Sequence, residues 1–401
     1  MGQLRTRKRG STWEWSFESA KIGGKRNSIS KGGYHTKAEA LAAGTQAKAE
    51  YDSAGRIFTP SEISVSDYLD YWFNNYVKTN LAHNSQVDYE KRIKNHLKPA
   101  FGTYRLASLD SDVIQEWLNG MKRKGYSKGM ITNTLSCFSG ALNYAVQPCK
   151  YIKYNPCSFV KLPKVSPDPR RQEHTDYICR GSDWEKILTR FGPDSNFYIP
   201  LVTSFYCGTR LGETYGFDLL RDVDLSSHTI TIRHQLCNEN GKWYYRPPKY
   251  NSVRTIKMIP QYESILKSEI HQRKKNQLKY GQYFTKTYLM DDGQIVQTSA
   301  NIPIPGTEIM PISTRENGEL LTPWSFRYCA KVIHEELENP LFHSHCLRHT
   351  HGTILAENGA SPKTIMERLG HKDIQTTLNH YVFNTEKMQE DAVRIFQAAT
   401  T

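Results

Sequence analysis

Long apolar runs are absent from this sequence of 401 residues, although 38% of its residues are hydrophobic. A membrane-spanning helix needs about 20 consecutive, mostly apolar residues, and no stretch of the chain provides them. The basic segment Met1–Arg9 is not followed by an apolar segment, so we expect no secretory signal. These absences exclude a protein anchored by membrane-spanning helices and favour one built on ordinary hydrophobic cores.

Cysteine pairs that could build zinc sites or a disulfide framework are also absent. The eight cysteines are scattered, and none forms a C-x-x-C pair. Four histidines, at positions 343, 345, 349 and 351, fall within nine residues, but no H-E-x-x-H pattern or carboxylate cluster accompanies them. We therefore expect no metal ion or other cofactor, reduced thiols in a cytoplasmic protein, and structural roles for His349 and His351.

Acidic residues are fewer than basic ones. Lysine and arginine total 53 against 40 aspartates and glutamates, which gives a formal net charge of +13. This balance favours a polyanionic partner, most simply nucleic acid, and a basic protein without such a partner is the plain alternative. The length predicts two or three domains, and the patterns of the individual segments indicate a multidomain fold that is mainly α-helical with small β-sheets.

Residues 1–58 have the pattern of a small separate module. Alternation at 12–17 predicts a half-buried strand, and 26–30 a returning strand. Thr36 and Glu39 form a capping-box pattern, so we expect a three-stranded sheet backed by one helix. A charged sheet of this kind can enter a DNA groove, and a solvated basic face is the alternative. The DNA contacts predicted here are Arg7, Lys8, Arg9, Lys25 and Arg26.

Residues 64–164 have helical periodicity. Tyr68, Leu69 and Trp72 recur at helical spacing, and further helices are predicted after them, the last over 131–145. This aromatic stripe is more typical of a core than of a cofactor site. Basic side chains between these positions suit contacts with DNA phosphates. They are Lys91, Arg92, Lys122, Arg123, Lys124 and Lys128.

Residues 172–401 mix helices with short strands. Segments 229–232, 243–245 and 253–259 are β-prone, and we expect them to form one three-stranded sheet. The stretch 283–322 predicts an irregular insertion with hairpins, to which the sequence assigns no function.

A last helix is predicted near the C-terminus. Met388, Ala392, Val393 and Phe396 lie at helical spacing and give it an amphipathic character. Such a helix could fold back on its own chain or dock on a neighbouring copy, and the sequence leaves both arrangements open.

Two arginine motifs are suited to binding a phosphodiester. Arg210 lies in Gly-Thr-Arg-Leu-Gly-Glu and Arg348 in His-x-x-Arg-His. A guanidinium pairs with two phosphate oxygens and stays charged, so it can stabilise charge that builds on a reacting phosphate. A surface ion pair is the ordinary alternative. Glu213, one helical turn after Arg210, could orient Arg210 or His345, or form only a salt bridge on the helix face.

Histidines and a tyrosine complete the set. His345 precedes Arg348 by one turn, His371 lies in Leu-Gly-His-Lys-Asp, and Tyr381 follows. A tyrosine hydroxyl titrates near pH 10, so its attack on phosphate requires a base and positive surroundings. In this order the residues resemble the tyrosine recombinase (phage integrase) family. The N-terminal part is most similar to integrases of conjugative transposons and related integrative elements.

The resemblance implies a role for each of these residues. Arg210 and Arg348 match the arginines that grip the scissile phosphate, and His345 the histidine that assists proton transfer. His371 matches a residue that donates a hydrogen bond to that phosphate, and Tyr381 matches the nucleophile.

A further match concerns the general acid. The segment 247–254 resembles a β-turn of the family, in which Lys249 would protonate the leaving oxygen. Lys242 and Lys257 lie nearby in the sequence and leave this assignment open.

The resemblance also implies an organisation and a reaction. Residues 1–58 would bind arm sites, 64–164 would form the helical, SAM-like core-binding domain, and 172–401 the catalytic domain with its tail helix. The enzyme would cut and rejoin double-stranded DNA through a 3′-phosphotyrosyl intermediate and a Holliday junction, without Mg²⁺ or ATP, to integrate and excise a mobile element. It would act as a dimer on each core site and a tetramer on synapsed DNA, with an excisionase or DNA-bending protein as accessory partners.

Two alternatives share parts of this pattern. A type IB topoisomerase uses similar side chains but relaxes supercoiled DNA without synapsis, and the two-part N-terminal half argues against it. A DNA-binding protein without catalytic activity would need only the basic surfaces, and the presence of every catalytic residue type argues against that.

Overall fold

The computed structural model describes residues 3–22, 25–54, 63–165, 177–302, 304–381 and 386–400. They divide into two compact units, Met1–Ser166 and Pro167–Thr401. No helix within the described ranges is both long enough and apolar enough to cross a bilayer.

The first unit begins with an antiparallel sheet in the order β1-β2-β3, packed on helix α1. Alternate residues of β2 bury Trp15 and Phe17, whose rings stack 5.6 Å apart beside Ala47 of the helix. Thr36 caps α1, because its hydroxyl accepts a hydrogen bond from the Glu39 N–H at 3.2 Å. The predicted three-stranded sheet with one helix is confirmed. The bounds are Arg5–Arg9 (β1), Thr12–Ile22 (β2), Lys25–Tyr34 (β3) and Lys37–Ala54 (α1).

The rest of the first unit is helical. Tyr68, Leu69 and Trp72 lie on one face of its first helix and are buried in a core that also holds Phe101 and Phe138. The first two helices each continue through a π-helical turn. The segments are Val65–Trp72, Phe73–Val77 and Lys78–Asn80 (α2), His83–Arg92, Ile93–Leu97 and Lys98–Phe101 (α3), Ser111–Arg123 (α4) and Lys128–Val146 (α5).

The second unit is built around helices that pack on one large core. Leu201 and Val202 of α7 are buried there together with Leu347 of α11. Helix α14 differs, because Val393 and Phe396 are 67% and 71% exposed. The bounds are Ser182–Arg190 (α6), Tyr198–Cys207 (α7), Leu211–Thr214 (α8), Pro260–Tyr280 (α9), Phe326–Glu336 (α10), Cys346–Glu357 (α11), Pro362–Leu369 (α12), Ile374–Tyr381 (α13) and Glu386–Thr400 (α14).

The strands of the second unit form two sheets, in the orders β4-β5-β8 and β11-β9-β10-β7-β6. The predicted single sheet is therefore wrong. Strand β7 pairs with β6 and β10, whereas β5 and β8 pair with each other, with Ile230 opposite Ile256. The bounds are Val223–Asp224 (β4), Thr229–Ile232 (β5), Gln235–Glu239 (β6), Lys242–Arg246 (β7), Arg254–Lys257 (β8), Thr285–Leu289 (β9), Gln294–Ser299 (β10) and Thr307–Ile309 (β11).

The stretch 283–322 is more regular than its sequence predicts. It supplies β9, β10 and β11, which extend the β6–β7 hairpin. The Asp218 carboxylate accepts a hydrogen bond from the Met310 N–H at 3.0 Å, and Arg273 of α9 donates to the carbonyls of Pro311 and Ile312 at 3.3 and 3.0 Å. These bonds attach the insertion to the rest of the unit.

Candidate active site

Arg210 is positioned by a sharp turn between α7 and α8. Gly208 ends α7 with a left-handed backbone at φ +63°, and a Cβ atom there would lie 2.6 Å from Leu369 Cδ2. Only glycine avoids both the strain and the overlap. The chain then leaves α7 so that Arg210 stands immediately before α8.

Glu213 is the centre of a cluster of positive side chains. Its carboxylate is fully buried and accepts hydrogen bonds from Arg210 Nη1 at 2.6 Å and from Arg254 Nη2 at 2.8 Å. It also accepts the backbone N–H of Arg210 at 3.0 Å, and Arg348 Nη1 lies 4.0 Å away. The sequence predicted the contact with Arg210 but not the one with Arg254.

The cluster around Glu213 has more positive than negative charge. Burial raises the pKa of the Glu213 carboxyl, but the charges of Arg254, Arg210 and Arg348 outweigh it, so the net pKa lies below the ordinary 4.5. One carboxylate therefore stays ionised among three guanidinium groups, which leaves an excess of positive charge. Such a site is suited to an oxyanion, since fixed charged donors bind phosphate oxygens strongly.

Arg348 and His345 lie at the start of α11. Arg348 is buried and donates from Nη1 to the Gly208 carbonyl at 2.8 Å. His345 immediately precedes the helix. Desolvation by the surrounding protein, then the charge of Arg348, lower the pKa of His345 to about 4, although the residue as a whole remains exposed. His345 is therefore a neutral imidazole at neutral pH.

The end of α12 contributes His371. Gly370 ends this helix with a left-handed backbone at φ +69°, and its carbonyl accepts a hydrogen bond from Arg210 Nη2 at 2.9 Å. His371 follows, with Nδ1 at 2.8 Å from the Thr377 hydroxyl of α13. The contact with Gly370 brings His371 and Arg210 into the same region.

Lys249 lies in a tight turn between β7 and β8. The turn, Lys249–Asn251, contains Tyr250 with a left-handed backbone at φ +63°. The Lys249 Nζ lies 5.2 Å from the centre of the Tyr250 ring, and Lys372 Nζ lies 5.6 Å from it. The shared ring places the lysine turn beside the segment that carries His371.

Tyr381 is the last residue of α13. It lies ten residues after His371 in the chain, and its side chain lies outside the described part of the structure.

The other histidines of the cluster have contacts of their own. His351 is held between the Phe205 carbonyl, 2.8 Å from Nδ1, and Arg368, whose Nε donates to its Nε2 at 2.9 Å. These contacts agree with the structural role predicted for His351. His349 is buried. Within the described residues, no group of three or more His, Cys, Asp or Glu side chains is placed to hold a metal ion.

Arg254 is the site residue that the sequence reasoning missed. It is 41 residues from Glu213 in the chain, so no local spacing links them. The sequence feature that could have indicated Arg254 is its place on a β-prone segment, five residues after Lys249 and at the end of the 247–254 segment.

The predicted DNA contacts of the first unit are mostly exposed. The Nε atoms of Arg7 and Arg9 lie 3.9 and 2.7 Å from Glu14 Oε2, and both arginine side chains remain about two-thirds exposed. Lys25 and Arg26 belong to β3, and their side chains lie outside the described part. In the helical part, the predicted DNA contacts that are exposed are Lys91, Lys122, Arg123, Lys124 and Lys128.

Arg92 is more enclosed than the other predicted DNA contacts. It donates to the Asp88 carboxylate at 2.7 and 3.0 Å and to the Thr134 hydroxyl at 3.0 Å, and its side chain is 11% exposed. A contact between Arg92 and DNA would require some of these bonds to open.

Comparison with known proteins identifies the family models that the chain matches. Residues 199–388 match the phage integrase family, and residues 64–122 match a phage integrase N-terminal SAM-like domain. The integrase of Staphylococcus phage L54a is 27% identical over 340 residues, which cover 80% of this chain and 89% of that protein. The transposase of transposon Tn916 from Enterococcus faecalis is 24% identical over 296 residues, which cover 72% of this chain and 66% of the relative.

Solved structures agree in fold. The Tn1549 transposon integrase in complex with transposon right end DNA matches with a TM-score of 0.64 and 23% identity, over 83% of this chain and 99% of that one. A lambda integrase dimer bound to a core site matches with a TM-score of 0.52 and 14% identity, over 94% of each chain.

The chain therefore belongs to the phage integrase family of tyrosine site-specific recombinases. It is similar in sequence to the Tn916 transposase and in fold to the Tn1549 transposon integrase.

Proposed function

We propose that the protein integrates and excises a mobile element by cutting and rejoining DNA through a 3′-phosphotyrosyl intermediate and a Holliday junction. The observation that carries the proposal is the cluster in which Glu213 holds Arg210 and lies 4.0 Å from Arg348. Two guanidinium groups fixed in this way provide charge at a defined place before the substrate arrives. Preorganised charge of this kind supplies a large share of the rate in phosphoryl transfer.

The cleavage step follows from the roles of the side chains. The Tyr381 oxygen attacks the scissile phosphorus, a bond forms between them, and the bond from phosphorus to the 5′ oxygen breaks. The phenolic proton passes to neutral His345, and Lys249 donates a proton to the departing 5′ oxygen. Arg210, Arg348 and a hydrogen bond from His371 stabilise the non-bridging oxygens. One phosphodiester replaces another, so the reverse step rejoins DNA without ATP, and no step requires a metal ion.

The proposed assembly uses the three parts of the chain differently. Residues 1–58 bind arm sites, 64–164 bind the core site, and 172–401 carry out the reaction. A dimer occupies each core site, as a dimer of lambda integrase does, and two dimers synapse as a tetramer. Helix α14, with exposed apolar residues, docks on its own or on a neighbouring catalytic domain, and an excisionase or a DNA-bending protein sets the direction.

The proposal is tested by covalent trapping. The protein is incubated in EDTA with nicked duplexes made from the ends of its own element, denatured in detergent, and analysed for protein-linked DNA. We expect an adduct that mass spectrometry maps to Tyr381 and that Tyr381→Phe abolishes while DNA binding persists. Tyr283→Phe is the matched control, because Tyr283 is 77% exposed and lies in the insertion.

Other outcomes would contradict parts of the proposal. Specific DNA binding without any adduct indicates a binding protein without catalytic activity. An adduct that forms equally on unrelated supercoiled DNA, with relaxation and no recombinant product, indicates a topoisomerase.

A further inference from the structure

Arg254 contacts three separate parts of the site. Its Nη2 donates to Glu213 Oε2 at 2.8 Å, its Nε to the Arg368 carbonyl at 2.8 Å, and its Nη1 to the Ser252 carbonyl at 3.2 Å. The side chain is 8% exposed. One planar guanidinium thus uses all three of its nitrogens inside the protein, which distinguishes it from an arginine that offers its charge to a ligand.

Each of these contacts ends next to a residue of the proposed mechanism. Glu213 holds Arg210, which binds the phosphate. The Arg368 carbonyl belongs to the last turn of α12, two residues before Gly370 and three before His371. The Ser252 carbonyl lies three residues after Lys249, and the Ser252 hydroxyl donates back to the Lys249 carbonyl at 2.9 Å.

Close packing leaves Arg254 little freedom. A Cβ atom on Gly370 would lie 2.7 Å from Arg254 Nη1 and 3.1 Å from Ser252 Oγ, so the guanidinium lies directly against the glycine backbone. The turn also needs such support, because Tyr250 and Asn251 both have positive φ values, +63° and +52°. Consecutive left-handed residues other than glycine are unfavourable unless their surroundings hold them.

The geometry points to Arg254 as a positioning residue that fixes the Lys249 turn relative to the Arg210–Glu213 pair and the His371 segment. It does not touch the reacting groups. It keeps the general acid at the distance from the phosphate that proton donation to the 5′ oxygen requires, since small displacements of a catalytic group lower rates strongly. This inference rests on the proposed function, in which Lys249 is the acid.

Arg254→Lys is the informative variant. Lysine keeps the charge next to Glu213, but a single ammonium cannot reproduce the planar fork that reaches three acceptors. Arg273→Lys is the matched control: Arg273 is 7% exposed, pairs with Glu269, and donates to the Pro311 and Ile312 carbonyls away from the proposed mechanism. Both variants remove a buried fork of the same kind.

The readout is the ratio of two cleavage rates. One nicked duplex carries the ordinary phosphodiester, and the other carries sulfur in place of the 5′ bridging oxygen. Sulfur leaves without protonation because a thiol is far more acidic than an alcohol, so the ratio of sulfur to oxygen rates measures how much the general acid contributes. A general acid contributes about 10² to 10⁴-fold.

We expect Lys249→Ala to raise the ratio by about 100-fold or more and Arg254→Lys to raise it by about tenfold or more. Arg273→Lys should leave the ratio unchanged. Rates are referred to the folded fraction, measured by thermal unfolding. Arg254→Gln, which reaches fewer acceptors, gives a second test and should also raise the ratio.

The outcomes separate the two proposals. If the ratio for Arg254→Lys and Arg254→Gln equals that of the wild type, Arg254 supports folding alone and the inference is overturned, whatever the absolute rates. If Lys249→Ala itself leaves the ratio unchanged, the general acid of the proposed function is wrong.

Discussion

At the scale of single residues, the site depends on one buried carboxylate. Glu213 is charged, has no exposure to solvent, and lies among Arg210, Arg254 and Arg348. A buried charge is tolerated only when partners compensate it, and removal of one member leaves the others uncompensated. The carboxylate therefore keeps three like charges together within the folded protein.

Glu213→Gln tests this dependence. The amide keeps the size but loses the charge, so we expect the free energy of unfolding to fall by about 3 kcal/mol and adduct formation to fall at least about tenfold. Urea denaturation and the trapping assay measure the two effects. Glu336→Gln is the control, because its ion pair with Arg190 is exposed, so solvent screens it and its loss should change stability little. Equal losses for both variants would contradict a central role for Glu213.

The same carboxylate gives a pH dependence with a defined sign. Its pKa in the folded protein is below the ordinary 4.5 of the unfolded chain, so its contribution to stability is present above pH 4.5. The contribution is lost as the pH falls below 4.5 through the folded pKa. We expect the stability difference between wild type and Glu213→Gln to shrink in that range, and a difference that stays constant would contradict the assignment.

His345 should be neutral in the free enzyme. Its pKa is lowered to about 4 against an ordinary 6.5, so between pH 6.5 and 4 the unfolded chain binds a proton that the folded protein does not. The free energy of unfolding should therefore decrease as the pH is lowered from 6.5 to 4. Imidazole resonances assigned with a His345→Gln variant should titrate near pH 4 and shift upward when DNA is bound, because the phosphate adds negative charge. A midpoint at or above 6.5 in the free protein would contradict the lowered pKa of His345.

At the scale of elements, local pattern predicted the elements but not every pairing. The helical spacing of Tyr68, Leu69 and Trp72 identified a buried face, because a helix face is determined by neighbours in sequence. The strand at 229–232 was also identified, but its partner β8 lies beyond the intervening β6–β7 hairpin. Strand pairing depends on which apolar faces meet in three dimensions, which β-propensity does not encode.

Contacts within the site were likewise predictable only where the two residues are close in sequence. The spacing of Arg210 and Glu213 predicted a contact because both belong to one short element. The contacts of Arg254 with Glu213 and with Arg368 span 41 and 114 residues, and only the folded chain brings them together.

Helix ends are the elements that position this site, and Gly370→Ala tests one of them. The substitution introduces left-handed strain of about 1–2 kcal/mol and a Cβ atom 2.7 Å from Arg254 Nη1. Gly359→Ala is the matched control, since Gly359 has φ +80° with nothing within 4 Å of a new Cβ. In urea denaturation, the free energy of unfolding of both variants should fall by this strain energy. Only Gly370→Ala should also reduce adduct formation, by about tenfold or more. Similar activity in the two variants would show that packing at Gly370 has no bearing on the site.

At the scale of the whole molecule, the charge of +13 is divided between residues that hold the protein together and residues that remain exposed. Arg210, Arg254 and Arg348 are engaged within the second unit. In the first unit, exposed basic residues gather where α4 ends and α5 begins, at Lys122, Arg123, Lys124 and Lys128. Exposed charges bind DNA through release of counterions, and this binding weakens as salt rises.

A triple alanine variant at positions 122, 123 and 124 tests whether this corner contacts DNA. Log K, where K is the association constant for DNA, falls linearly with the logarithm of the salt concentration. Each lost phosphate contact should make this slope shallower by about 0.9, so the loss of three contacts should change it by almost three. The control variant replaces Lys267, Lys274 and Lys275, exposed lysines of α9, and removes the same net charge. Fluorescence anisotropy over a range of salt concentrations measures both slopes. A reduced slope only in the first variant identifies direct phosphate contacts, whereas equal reductions would mean that the overall field of the basic protein, rather than this corner, attracts DNA.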